Sequence, residues 1–128
     1  MKRLIKSIDK SIHRKIYKQE SIKHNVFSIQ SIQKVVSHKT KIKFDLICVK
    51  SRKREIVEAR QICMFFSKLH QLGSLEFIGE NLGGKDHATV SYSCKTISNL
   101  YQTDRIKFEL LNSIDLAISS AYGVGKVL

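Results

Sequence analysis

Residues Ser74 to Leu100, which read SLEFIGENLGGKDHATVSYSCKTISNL, decide the fold of this protein. Serine is a favoured helix N-cap, so Ser74 predicts a short helix that begins at Leu75 and stops at the turn Leu82-Gly83-Gly84. Asp86 is the predicted cap of the next helix, whose apolar residues recur every three or four positions. Two helices joined by a short turn that contains glycine are the arrangement of a helix-turn-helix.

Helical spacing of apolar residues continues on both sides of this stretch, and the sequence has no run of strict alternation long enough to propose a sheet. The spacing predicts a short helix after Ser28, one turn of helix at 44–47, a long helix from about Glu55 to Gln71 and a final helix from about Arg105 to Ser119. The sequence therefore predicts an all-α class, with a compact helical domain that contains a helix-turn-helix and follows a basic N-terminal helical arm.

The apolar positions of these helices form the predicted core. On the long helix, the buried face is expected to carry Ile62, Phe65 or Phe66, Leu69 and Leu72, and the opposite face Arg60, Gln61, Met64 and Lys68. The later helices are expected to bury Val90, Cys94, Ile97, Tyr101, Phe108, Leu111 and Ile118. Residues 123–126, Gly-Val-Gly-Lys, lack the glycine spacing of a phosphate-binding loop and are expected to be a frayed tail.

Residues 1–25 are predicted to be a basic amphipathic arm, and residues 26–122 are predicted to be the globular domain. The arm carries isoleucines at helical spacing, with Lys and Arg opposite them: Ile5, Ile8, Ile12 and Ile16. Such an arm could dock on the domain itself, on a protein partner or on lipid, and its sequence does not choose among the three.

The charge of the chain points to an anionic partner. Among 128 residues, 23 Lys and Arg oppose 11 Asp and Glu, which gives a net charge of +12. Residues 1–25 hold eight basic and two acidic groups, 26–72 hold ten and three, and 73–128 hold five and six, so the excess lies in the first two segments. Nucleic acid or an anionic membrane is therefore the expected class of partner. The alternative explanation of the positive charge is a general bias of the composition toward Lys, Ile and Ser.

Neither a catalytic centre nor a metal or cofactor site is predicted. The three cysteines, Cys48, Cys63 and Cys94, form no C-x-x-C pair, which argues against a disulfide framework and a zinc site and fits a reducing cytoplasm. The histidines are scattered at His13, His24, His38, His70 and His87. The longest apolar run, Ile62 to Phe66, has five residues, far from the roughly 20 that a transmembrane helix needs.

Three segments closely resemble one known family. They are RKREIVEARQICM at 52–64, SLEFIG at 74–79 and GGKDHATV at 83–90, and the last is the most specific. Together they resemble the C-terminal DNA-binding domain of the bacterial chromosomal replication initiator DnaA, over about residues 31–100. No G-x-x-x-x-G-K-[ST] loop occurs, so a stand-alone relative without the ATPase domain, and not an enzyme, is expected. Glu76 and Lys85 stand where family members often have proline and arginine.

The resemblance implies that the second helix of the helix-turn-helix lies in the major groove of DNA, with the side chains of its first turn at the base edges. There His87 would bond a base or phosphate, and the methyl group of Ala88 would contact a thymine methyl. Asp86 would cap the helix and accept a bond from a cytosine amino group. Arg52 matches the arginine that the family inserts into the minor groove, and a solvated loop charge is its alternative role.

The remaining predicted contacts go to phosphates, which fix register without reading sequence. By their match to family positions, this set comprises Arg60, Gln61, Lys68 and Lys85. Hydroxyl groups that could bond a phosphate belong to Ser74 and Thr89, although Ser74 is first a helix cap. Lys68 could equally be an ordinary exposed residue of the helix surface with no role in DNA binding.

The predicted function is sequence-specific binding of double-stranded DNA, resembling the recognition of DnaA boxes at a replication origin, with a role in replication initiation or its regulation. Two alternatives remain: a DNA-targeting accessory of a transposase or mobile element, and a protein that binds the resident initiator through the arm at 2–18. The expected location is the cytoplasm, with the nucleoid.

Overall fold

The computed structural model describes residues 26–128 of the chain. Within this range it contains six α-helices and no β-strand. They are α1 (Ile29–Thr40), α2 (Phe44–Ile47), α3 (Arg54–Leu69), α4 (Leu75–Asn81), α5 (His87–Thr103) and α6 (Arg105–Tyr122). The predicted all-α class with a helix-turn-helix is confirmed. The predicted arm at 1–25 lies outside the described residues.

Both helices of the helix-turn-helix begin at side chains that cap them. The hydroxyl oxygen of Ser74 accepts a hydrogen bond from the Phe77 amide at 3.1 Å, at the start of α4. The carboxylate of Asp86 accepts one from the Thr89 amide at 2.9 Å, at the start of α5. Each side chain satisfies an amide that the first turn of a helix leaves without a partner. These are the two caps that the sequence predicted.

The core is built around α3, which packs against α1, α2, α4 and α5. Its buried residues cover most of the circumference of the helix: Ile56, Ala59, Arg60, Ile62, Cys63, Met64, Phe65, Phe66 and Ser67. Helix α6 packs against α1 and α5 and completes the domain. A helix that is buried over most of its circumference is the centre of a helical domain, and only the side of α3 that carries Arg54, Gln61 and Lys68 reaches solvent.

Four predictions about exposure were wrong. Met64 and Arg60 were expected on an exposed face of α3, but only 1% and 5% of their surfaces are accessible, because neighbouring helices cover that face as well. Leu69 and Phe108 were expected in the core and are 38% and 43% exposed. Leu69 is the last residue of α3, and Phe108 stacks on Tyr101 near the junction of α5 and α6, with ring centroids 4.8 Å apart.

The predicted frayed tail is also wrong, because residues 123–128 pack on the domain. The fully buried carboxylate of Asp115, on α6, accepts hydrogen bonds from the amides of Val127 at 3.0 Å and Leu128 at 2.9 Å. The hydroxyl group of Ser119 donates to the carbonyl oxygen of Val124 at 2.6 Å. A buried carboxylate needs hydrogen-bond donors, and this tail supplies two of them.

We expect His70, just after α3, to make the stability of the fold depend on pH. Its ring meets the edge of Phe27 at a centroid distance of 5.0 Å, and its Nε2 atom is buried without a hydrogen-bond partner. Burial lowers the pKa of His70 from its ordinary 6.5, and the carboxylate of Asp115 acts in the opposite direction. Since the folded pKa lies below the unfolded one, the unfolded state binds more protons in acid.

We therefore expect the free energy of unfolding to be fully present above pH 6.5 and to fall as the pH drops from there toward the folded pKa of His70. Urea unfolding at a series of pH values measures this effect. The variant His70→Leu should lose part of the pH dependence between pH 7 and 5. An unchanged pH profile in the variant would contradict the expectation.

Candidate nucleic-acid interface

Gly79 fixes the approach of α4 to the start of α5. A Cβ atom on Gly79 would lie 2.0 Å from the carbonyl oxygen of Lys85 and 3.2 Å from Val90 Cγ2. The carbonyl oxygen of Gly79 accepts a hydrogen bond from the Lys85 amide at 2.9 Å. Only glycine permits this approach without a backbone shift, so α5 begins at a fixed position relative to α4.

The first turn of α5 faces solvent. His87, Ala88 and Thr89 are all exposed, whereas Val90 and Ile97 on the inner face of the same helix are buried. Hydrogen bonds from Thr89 lower the pKa of the Asp86 carboxyl group below its ordinary value, so the cap is ionised at neutral pH. The domain thus presents a capped helix terminus whose first turn is free of intramolecular packing.

An open groove along one side of α5 brings two predicted contact residues together. Arg52, exposed in the segment before α3, and Gln61, half-buried on α3, line this groove with Thr96 of α5. Its one acidic lining residue, Glu58, forms an ion pair with Lys107 of α6 at 2.5 Å. The Lys107 charge offsets that of Glu58, so Arg52 is not opposed by a free carboxylate in the groove.

The other side of α5 carries a second open groove, between this helix and the C-terminal half of α3. Lys68 lines it together with Ser91 and Lys95 of α5. Lys68 and Lys95 are exposed. Helix α5 is therefore flanked on both sides by basic side chains that reach solvent.

Arg60, one of the predicted phosphate contacts, is not at the surface. Its Nε atom donates to the carbonyl oxygen of Ile47 at 2.9 Å, and its Nη2 atom donates to that of Val49 at 2.7 Å. Only 5% of the residue is exposed. The side chain ties the end of α2 to α3, in the segment that leads to Arg52, and so has a structural role that sequence reasoning did not predict.

The other nine predicted residues are exposed or half-buried: Arg52, Gln61, Lys68, Ser74, Lys85, Asp86, His87, Ala88 and Thr89. The hydroxyl oxygen of Ser74 already accepts the capping bond from Phe77. Lys85 is half-buried in the turn, where its backbone amide is bound to Gly79.

Sequence reasoning missed two residues on the outer face of α5. Tyr92 is 67% exposed and Lys95 is exposed. They follow Ala88 by four and seven positions, which places all three on one face of the helix. That spacing was a signal available in the sequence.

The described residues offer no arrangement for metal or thiol chemistry. In the range 26–128, no group of three or more His, Cys, Asp or Glu side chains could hold a metal ion. Burial raises the pKa of Cys48, Cys63 and Cys94, so these thiols stay protonated at neutral pH. No helix in this part of the chain is long and apolar enough to cross a membrane.

Comparison with known proteins identifies the family to which this helix-turn-helix belongs. The chain matches the family model of the bacterial DnaA protein helix-turn-helix over residues 29–97. The chromosomal replication initiator protein DnaA of Flavobacterium psychrophilum is 41% identical over 100 residues, which cover 78% of this chain and 21% of that protein. The same protein of Nostoc punctiforme is 44% identical over 87 residues, which cover 68% of this chain and 19% of the relative.

The chain spans about a fifth of the length of the curated relatives that it matches. The family model that matches describes the helix-turn-helix of those proteins. The matched residues include α1 to α4 and the first two-thirds of α5, and so contain the whole helix-turn-helix. The chain therefore belongs to the bacterial DnaA helix-turn-helix family and is a DnaA-like DNA-binding domain.

Proposed function

We propose that the protein binds double-stranded DNA at sites of the DnaA-box type and reads them in two adjacent grooves. The observation that carries this proposal is the exposed, capped first turn of α5, together with the exposed Arg52 in the groove along the C-terminal half of the same helix. An α-helix fits the major groove, where each base pair presents its own pattern of donors and acceptors.

In the major groove, His87 and Ala88 are the proposed base contacts. The imidazole of His87 bonds a base edge or a nearby phosphate, and the methyl group of Ala88 packs against a thymine methyl. Asp86 remains primarily a cap, because its carboxylate is already bonded to the Thr89 amide, but it retains lone pairs that can accept a bond from a cytosine amino group.

In the minor groove, Arg52 is the proposed contact. Its guanidinium group is exposed, and a narrow A/T-rich minor groove has an enhanced negative potential that attracts such a group. Arg60 acts on this contact indirectly. It donates hydrogen bonds to the carbonyl oxygens of Ile47 and Val49 and thereby restricts the segment that carries Arg52. We infer that Arg60 is a positioning residue and not a phosphate contact.

The phosphate contacts are proposed for side chains that flank α5. Lys68 and Lys95 would hold the backbone on one side, and Gln61 would hold it on the other. The phenol group of Tyr92, on the outer face of the same helix, can donate a further hydrogen bond to a phosphate. Ser74, Lys85 and Thr89 complete the proposed set.

The relatives in the comparison bear the name chromosomal replication initiator protein. We propose that this domain occupies the same class of site as the helix-turn-helix of those proteins and thereby takes part in replication initiation or its regulation. Action on chromosomal DNA would place the protein in the cytoplasm, at the nucleoid.

Fluorescence anisotropy tests the proposed function. The full chain would be titrated onto a labelled duplex that bears an initiator-type box, and onto a duplex with the same bases scrambled, at about 50 and about 150 mM salt. We expect a preference for the box of about tenfold or more that persists at the higher salt. Equal affinities that fall together as salt rises would mean that only the net charge binds DNA, and would overturn the proposal.

A further inference from the structure

Helix α1 carries a second basic surface. Its exposed residues Gln30, Lys34 and His38 follow one another at intervals of four positions, so they lie in one row along the outer face of the helix. The exposed Lys41, three positions after His38, caps the C-terminal end of the same helix. We call Lys34, His38 and Lys41 the α1 basic row. The row is about 10 Å long between Lys34 and Lys41. This length equals the axial rise of about three phosphates along one strand of a DNA duplex.

The α1 basic row and the recognition helix face different directions. Helices α1 and α5 each pack against α3 and against α6. Helices α3 and α6 therefore lie between α1 and α5, and α5 crosses α3 between Gln61 and Lys68. The outer face of α1 points away from this core, so a straight duplex seated on the first turn of α5 does not explain the basic row.

Among residues 26–128, no acidic side chain forms an ion pair with the row. The ion pairs within residues 26–128 are those of Arg105 with Glu109 and of Lys107 with Glu58, and neither involves α1. Two further lysines, Lys39 and Lys43, lie in or next to the helix and add to the positive potential. A concentration of like charge without counter-charges repels itself unless an anion binds there.

Lys41 adds an independent observation, because it holds a strained backbone conformation. It caps the C-terminus of α1 with φ +64°, in the left-handed region, and its amide donates to the carbonyl oxygen of Ser37 at 3.0 Å. Glycine is the usual residue at such a cap, and a side chain there is unfavourable. A lysine kept where glycine fits better is a reason to look for a function of its ammonium group.

We propose that the α1 basic row is a second DNA site, which binds the phosphate backbone of a duplex without sequence preference. One domain would then hold a box duplex on α5 and a neighbouring duplex segment on α1. This inference goes beyond the proposed function, which supplies only the first site.

The row fits DNA better than a membrane surface. A helix that lies on a membrane needs a free apolar face to insert, and the apolar residues Ile29, Ile32 and Val36 of α1 are buried in the core. What α1 offers to solvent is polar or charged. A polyanion of regular phosphate spacing matches that surface, and a lipid bilayer does not.

The test measures capture of a second duplex by the full chain. Protein would first be saturated with a donor-labelled box duplex and then titrated with an acceptor-labelled scrambled duplex, with energy transfer as the readout. Sedimentation velocity would establish that the complex contains one protein and two duplexes. The variant Lys34→Gln/Lys41→Gly removes two charges of the row, and Lys41→Gly also relieves the strained cap, so lost binding is not a consequence of unfolding.

We expect the variant to bind the second duplex several-fold more weakly, with a log–log salt slope reduced by about 2, while its affinity for the first, box duplex stays within about twofold. Gln71→Gly is the matched control, since Gln71 also has a positive φ, +56°, but lies outside the row. It should gain stability and leave both duplex affinities unchanged.

Three outcomes would overturn the inference: absence of a complex with two duplexes at low salt, equal capture of the second duplex by the variant, or row-dependent binding to vesicles of anionic lipid with no effect on DNA. Failure of the proposed function is distinguishable from these outcomes, because it would remove the box preference of the first site.

Discussion

Replacement of Arg60 by methionine is expected to lower the free energy of unfolding by about 3 to 6 kcal/mol, because two hydrogen bonds from a charged group are lost and each contributes about 1.5 to 3 kcal/mol. Methionine keeps most of the side-chain volume in a position that is only 5% exposed. It leaves the carbonyl oxygens of Ile47 and Val49 without the donors that now satisfy them. Urea unfolding of the variant measures the loss, at an unchanged slope with denaturant.

The neighbouring substitution Gln61→Met is the matched control, because Gln61 is half-buried on the same helix and donates no hydrogen bond to the α2 segment. It should change stability by less than about 0.5 kcal/mol. The two roles considered for Arg60 predict different results. A phosphate contact would lose DNA affinity at unchanged stability. The anchoring role predicts lower stability together with weaker binding, and stability equal to that of the unmodified chain would contradict it.

Local sequence signals predicted the helix-turn-helix well, because its determinants are local. A serine and an aspartate cap the two helices, and each bonds an amide only three residues away. Two glycines, Gly83 and Gly84, form the turn with positive φ angles. Such features depend on neighbours along the chain, and a single sequence contains them in full.

The burial of α3 and of the tail could not be predicted in this way. Periodicity identifies one apolar face, but α3 packs against several helices, so even Arg60 and Met64 are buried. The tail is held by Asp115, an isolated acidic residue in an apolar helix, whose partners are backbone amides 12 and 13 residues later. Backbone amide and carbonyl groups leave no trace in the side-chain pattern. The role of Arg60, whose partners are the carbonyl oxygens of Ile47 and Val49, could not be predicted for the same reason.

The second large effect is expected on the affinity and sequence preference of DNA binding. Arg52→Ala and His87→Ala should each weaken binding to the box by about 1 to 3 kcal/mol and reduce the preference for the box over a scrambled duplex. Both side chains are exposed, and neither takes part in a hydrogen bond within residues 26–128, so we expect stability to change by less than about 0.5 kcal/mol. Anisotropy titrations on both duplexes, with a thermal melt of each variant, measure these effects.

The control is Lys68→Ala, which removes a proposed phosphate contact and no base contact. It should weaken binding to both duplexes alike and reduce the log–log salt slope by about 1. Because Arg52 and His87 are proposed to act in different grooves, their losses should add in the double variant to within about 0.5 kcal/mol. If all three single variants lost the same affinity on box and scrambled DNA, the first turn of α5 would read no sequence, and binding would depend on net charge alone.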